Sequence, residues 1–180
     1  MKITLVTGNK NKLEEWQRLM SPGFELVAED VDLDEIQSLD LERIVIDKAE
    51  RAFKEIGGPV IVEDIAVGIK KLNDLPGPFI KFFIKQLGQD CLIKLAGDEG
   101  EETTVTCMMA YHDGKQTIIA SGVDEGVTVK PRGENGFGFD VCFVPQGSTK
   151  TYAEMSPTEK DAISHRGKAI KKLAKALESL

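Results

Sequence analysis

The apolar run Val60-Ile61-Val62, followed at once by the carboxylates Glu63 and Asp64, constrains this chain more than any other feature. Three branched residues in a row are too apolar to lie in solvent and too few to make a helix, so they read as a brief core strand. Glu63 and Asp64 then stand at the exit of that strand. In open α/β sheets this is the edge where ligand crevices form. A carboxylate there, Asp64 above all, is a candidate general base or ligand of a divalent cation. Glu35, in the acidic segment Asp30-Val31-Asp32-Leu33-Asp34-Glu35, can supply a second oxygen. Magnesium takes a few carboxylates together with phosphate oxygens and water, and needs no His or Cys.

The elements around that strand suggest a parallel start. Ile3 to Val6 is another short buried strand, and Leu13, Trp16, Leu19 and Met20 then recur at helical spacing until Ser21-Pro22-Gly23. Phe24 to Val27 reads as a strand. Asp40 to Ile56 carries the stripe Leu41, Ile44, Val45, Ala49, Ala52, Phe53 and Ile56 of an amphipathic helix. Leu75-Pro76-Gly77-Pro78 reads as a turn, with helices over Phe79 to Leu87 and Cys91 to Ala96. Thr103 to Tyr111 and Lys115 to Val123 form a hairpin through Asp113-Gly114, and Val127-Thr128-Val129 suggests a third strand. Ser156-Pro157-Thr158-Glu159 is a capping box, and Ser164 caps a last helix whose buried stripe is Ile170, Leu173, Ala174 and Leu177. The order βαβαβ, then an antiparallel set, then helices, predicts an α/β fold whose mixed sheet is shared by two lobes.

A net charge of −7 argues against a protein that coats DNA or RNA. A small polyanion would still bind, given a local cluster of Lys and Arg or a divalent cation. The three cysteines, Cys91, Cys107 and Cys142, have no CxxC spacing, and are expected to be reduced. No apolar run is long enough to span a bilayer and no signal peptide is seen, so the expected location is cytoplasmic.

Several segments look built for a nucleotide. Thr7, Gly8, Asn9, Lys10, Asn11 and Lys12 make a polar strand-to-helix turn, which aims backbone N–H groups and the positive helix end at an anion. The turn matches neither a P-loop nor GxGxxG. Lys48 borders an apolar helix stripe and Lys81 lies in the apolar run Phe79-Ile80-Lys81-Phe82-Phe83; each either snorkels outward or points into a cleft. Gly136-Phe137-Gly138-Phe139-Asp140 pairs close-approach glycines with two flat rings. Lys160, His165 and Arg166 offer donors to phosphate or base edges, although cations in a first helical turn oppose the dipole. His112 reads as an exposed turn residue.

Together the stretches Val6 to Glu14, Val62 to Asp64, Leu75 to Lys81, Pro131-Arg132-Gly133, Gly136 to Asp140, Thr151 to Met155 and Glu159 to Arg166 resemble the inosine triphosphate pyrophosphatase family over nearly the whole chain. The resemblance implies one domain over 1–180, with two lobes around an elongated mixed sheet flanked by helices and the substrate in the cleft between them. It also implies a homodimer. It implies magnesium-dependent hydrolysis of non-standard purine nucleoside triphosphates to the monophosphate and pyrophosphate. By position, Thr7 to Lys12 would hold the triphosphate, and Glu35 and Asp64 the metal, with Asp64 the proton acceptor. Lys48 and Lys81 would contact phosphate. Phe137, Gly138, Phe139, Asp140, Lys160, His165 and Arg166 would receive the nucleoside, with Phe139 stacked on the base. Two departures from the family pattern stand out. Ile65-Ala66-Val67 follows the acidic pair, where a hydroxyl residue is usual, and Val141 follows Asp140, where Pro is common. The first motivates an alternative, a nucleotide-binding homologue with weak or lost activity. A further reading is hydrolysis of pyrimidine or modified triphosphates.

Overall fold

The computed structural model describes residues 2–180. The strands are β1 (Lys2–Val6), β2 (Glu25–Glu29), β3 (Val60–Ile69), β4 (Leu75–Gly77), β5 (Glu102–His112), β6 (Thr117–Thr128) and β7 (Phe143–Pro145). The helices are α1 (Lys10–Leu19), α2 (Leu41–Ile56), α3 (Ile80–Leu87), α4 (Cys91–Ala96), α5 (Pro157–Ile163) and α6 (His165–Leu177). Hydrogen bonding orders the strands β2-β1-β3-β5-β6-β7, with β4 on β3. β1 is parallel to both β2 and β3, whereas β3–β4 and β6–β7 are antiparallel. The sheet is therefore mixed, with helices on it, as the element order predicts. The chain divides into two compact units, one of residues 1–64, 107–122 and 166–180, the other of 65–106 and 123–165.

Three elements differ from the expectation, each for a local reason. β3 does not end at Val62 but runs to Ile69, because the charge of Glu63 is compensated inside the protein. The Leu75–Pro78 turn is in part a strand, since left-handed Asn73 and Asp74 fold Leu75–Gly77 back along Val67–Ile69; the Leu75-Pro76 bond is cis. Val127 and Thr128 continue β6, and the strand after it is Phe143–Pro145. Gly126 does not break β6. A β-carbon there would lie 2.2 Å from the Val144 carbonyl oxygen and 2.7 Å from the Phe143 ring, so glycine is what lets β7 approach.

In the first unit, alternation along β3 separates its neighbours into two layers. Val60 and Val62 pack with Val45, Ala49 and Ala52 of α2, together with Val6 and Ala110. Glu63 points to the opposite face, where it meets α1 and α6. Its carboxylate accepts from Trp16 Nε1 at 2.8 Å, Lys12 Nζ at 2.8 Å, and Arg166 Nε and Nη2 at 3.0–3.2 Å. Arg166 Nη1 also bonds Glu15. Trp16, Glu15, Glu63 and Arg166 are all buried. Burial alone would push the Glu63 carboxyl up, but the charges of Arg166 and Lys12 hold it well below the ordinary carboxylate range. Burial likewise opposes the Arg166 charge, and Glu63 and Glu15 overcome it.

Two outcomes follow for stability. Glu63→Gln removes the counter-charge of Lys12 and leaves buried Arg166 with Glu15 alone; it costs about 3–5 kcal/mol near neutral pH, measured by denaturant unfolding. Because the folded carboxyl lies below its ordinary 4.5, the wild-type advantage is complete above that pH and shrinks as acid protonates the unfolded chain first. An advantage unchanged down to about pH 2 would refute the assignment. Gly126→Ala forces β6 and β7 apart and lowers stability by about 2–4 kcal/mol, read from the melting temperature.

Candidate functional site

In the first unit the polar turn after β1 becomes the start of α1. Thr7 is half-buried, Gly8 to Asn11 are exposed, and Lys12 is half-buried with its ammonium on Glu63. Asn9 is the N-cap. Its Oδ1 accepts from Asn11 N at 3.0 Å and Lys12 N at 3.3 Å, while its own N–H donates to Thr7 Oγ1 at 3.1 Å. Two N–H groups that the turn was expected to offer to an anion are thus satisfied by this side chain. Gly8 is fixed by close approach, since a β-carbon would come within 2.6 Å of the Asp30 carboxylate.

The acidic residues lie on the α2 side of the same unit. Alternation places Asp64, half-buried, on the β3 face of Val60 and Val62. Lys48, on α2, does not snorkel into solvent. Its Nζ donates to Glu35 Oε1 at 2.6 Å and to the Glu63 carbonyl at 3.4 Å. Adjacent Glu63 and Asp64 therefore serve different layers: Glu63 is a structural counter-ion, and Asp64 is the member left on the face that α2 and Lys48 cover. Among the described residues no group of three or more His, Cys, Asp or Glu is placed to hold a metal ion.

The second unit holds the other expected residues. Asp140, buried at the start of a 3-10 turn, accepts from Phe137 N at 2.9 Å and Lys160 Nζ at 2.7 Å. That carboxylate shapes the Gly136–Phe139 loop and fixes Lys160, whose ammonium sits 4.7 Å from the Phe137 ring centre. Phe139 is buried, 6.2 Å from His165 between ring centres, while Phe137 is half-buried. Phe137 is thus the more open of the two rings. Lys81 is exposed on α3, its ammonium 5.2 Å from the centre of the Phe82 ring.

His165 and Arg166 do open the last helix, α6, following Ser164. Arg166 lies in the buried network of the first unit. His165, 2% exposed, faces Tyr152 and Asp124 in the second. His112 is not an exposed turn residue: half-buried at the end of β5, it stands edge-on to Phe53 with ring centres 5.1 Å apart. The cysteines are free and buried, and burial raises all three thiols, Cys91 and Cys142 to about 11. Sequence reasoning gave no role to Glu15, Trp16, Asp124 or Tyr152. Asp124 fell outside the predicted strand Lys115 to Val123, so the signal of a buried acid within a strand was lost. Glu15 and Trp16 carried none beyond helix periodicity.

Residues 3–176 match the profile of the Ham1 family. The chain is 45% identical to the inosine triphosphate pyrophosphatase of Yarrowia lipolytica, over 96% of this chain and 94% of that one. It superposes on a HAM1 protein from Coxiella burnetii with a TM-score of 0.85 and 30% identity, covering both chains fully. It also resembles the nucleoside-triphosphatase / dITP/XTP pyrophosphatase from Mycobacterium abscessus, with a TM-score of 0.74 and 29% identity over 96% of this chain and 98% of that one. A profile match over nearly the whole length, joined to relatives of this closeness, leads to one statement: the chain belongs to the Ham1 family.

Proposed function

We propose that this protein hydrolyses non-standard purine nucleoside triphosphates, such as those of inosine, deoxyinosine and xanthosine, to the monophosphate and pyrophosphate. The observation that carries the reading is the near full-length likeness to an inosine triphosphate pyrophosphatase. The geometry supports it. Lysines and carboxylates are held together at β3 in the first unit, which suits a polyphosphate. An aromatic group with a buried ammonium occupies the second unit, which suits a base.

Thr7 to Lys12 take the triphosphate, with Lys10, Lys12 and Lys48 offsetting its charge, and Lys81 is a further phosphate contact. Glu35 and Asp64 would hold magnesium: their hard carboxylate oxygens fit that ion, and phosphate oxygens and water would complete its shell. When bound, the ion polarises phosphoryl oxygens and stabilises the leaving pyrophosphate. Asp64 accepts the proton of the attacking water. Lys48 holds Glu35 by an ion pair at 2.6 Å. Phe137 and Phe139 flank the base, Asp140 fixes Lys160 beside them, and His165 and Lys160 read its edge. Arg166 acts from behind, through Glu63. The protein works in the cytoplasm as a homodimer.

Ile65 does not argue for lost activity. It is a core residue of β3, 9% exposed, on the face opposite Asp64.

A panel of nucleoside triphosphates with pyrophosphate detection tests the activity. Release from inosine, deoxyinosine and xanthosine triphosphates should exceed that from adenosine triphosphate by at least about tenfold and require magnesium. Preferential turnover of pyrimidine triphosphates would overturn the substrate class. Asp64→Asn should lower kcat by about 10²–10⁴ while nucleotide binding persists; turnover near wild type would remove Asp64 from this role.

A further inference from the structure

Asp124 lies in the middle of β6, buried and without a role in the mechanism above. Its Oδ2 accepts the hydroxyl proton of Tyr152, which is 0% exposed. Burial and the Asp124 charge push the Tyr152 phenol far above its ordinary value, so it keeps that proton. The phenol oxygen retains two lone pairs. One accepts the backbone N–H of His165, at the first position of α6. His165 Nδ1 lies 3.5 Å from the same phenol oxygen and 3.8 Å from Asp124 Oδ2. The phenol oxygen, its proton committed to Asp124, can only accept from Nδ1, and the Asp124 carboxylate attracts a proton there without a direct hydrogen bond. The ring is held in orientation by Tyr152 and Phe139, at 5.7 and 6.2 Å between centres.

We propose that Asp124 is a positioning residue which, with Tyr152, keeps the His165 proton on Nδ1, so that Nε2 meets the substrate base as a hydrogen-bond acceptor. This rests on the reading of His165 as a base contact. Asp124 and Tyr152 fix the tautomer, and His165 alone touches the substrate. The chemistry then favours a 6-oxopurine. Hypoxanthine and xanthine carry a hydrogen on N1 that an acceptor can receive. Adenine presents a bare N1 lone pair there, and two lone pairs facing each other repel. A site built for one hydrogen-bond pattern rejects the analogue lacking it more strongly than apolar contact can.

The chain has two histidines, His112 and His165, so ¹⁵N-labelled protein gives an imidazole spectrum that His112→Gln assigns. Wild type should show a neutral His165 ring protonated at Nδ1 at about pH 7.5. Asp124→Asn places an amide N–H donor opposite Nδ1 and should move the proton to Nε2, as the matching change does in serine-protease triads. The ratio of kcat/KM for inosine triphosphate over adenosine triphosphate should then fall about tenfold, with the fold intact by circular dichroism. Tyr152→Phe keeps the ring and should shift both readouts in the same direction, which covers a failure of Asp124→Asn to fold. A wild-type His165 protonated at Nε2, or at both nitrogens, overturns the proposal, as does a ratio within twofold of wild type in the folded variants. If the wild type hydrolyses no purine triphosphate, the proposed function fails, while the spectrum still decides whether Asp124 sets the tautomer.

Discussion

The carboxylate of Glu63 is a charge placed where water cannot reach it, and much of the first unit is arranged to make that tolerable. A buried carboxylate is costly unless it is paired and hydrogen-bonded. Here α1 contributes Trp16 and Lys12, and α6 contributes the Arg166 fork, itself balanced by Glu15. Two helices far apart in sequence converge on two oxygen atoms of a third element, β3. Such a network needs all its members at once, so it specifies one packing of α1 and α6 on β3 more sharply than apolar contact would.

That arrangement also separates two acids that look like a pair. Neighbours on a strand face opposite ways, so Glu63 supports the α1–α6 layer while Asp64 stays with α2 and the Lys48–Glu35 ion pair. Glu63, whose carboxyl is strongly lowered, is thus a support, and its less buried neighbour Asp64 faces the other layer. Perturbed acidity marks sites and scaffolds alike, and the direction of the side chain decides between them.

Most of the fold was legible because its signals are local. The α2 stripe, the Asp113-Gly114 hairpin turn and the Ser156 capping box act over a few residues, and each appears in the structure. The failures share a different cause. Nothing near Glu63 announces that Arg166, 103 positions away, will neutralise it, so the strand seemed to stop at its first charge. Nothing near Gly126 announces that Val144 and Phe143 will lie on it, so the continuity of β6 from Val123 into Val127 is not legible in the sequence. The candidate residues of the polar turn and the glycine–phenylalanine loop were visible as chemistry. The groups packed on His165 and Arg166, namely Asp124, Tyr152 and Glu15, depend on tertiary neighbours that spacing does not encode.

The bare α-carbon at 126 has a reach beyond its strand. Phe143 rests on it, Tyr152 lies 5.2 Å from Phe143 between ring centres, and His165 lies 5.7 Å from Tyr152. These contacts run as a chain of mutually tilted rings from sheet to helix terminus. Close-packed interiors transmit displacement instead of absorbing it. A single hydrogen atom in place of a methyl group is therefore the footing on which the alignment of the imidazole is set.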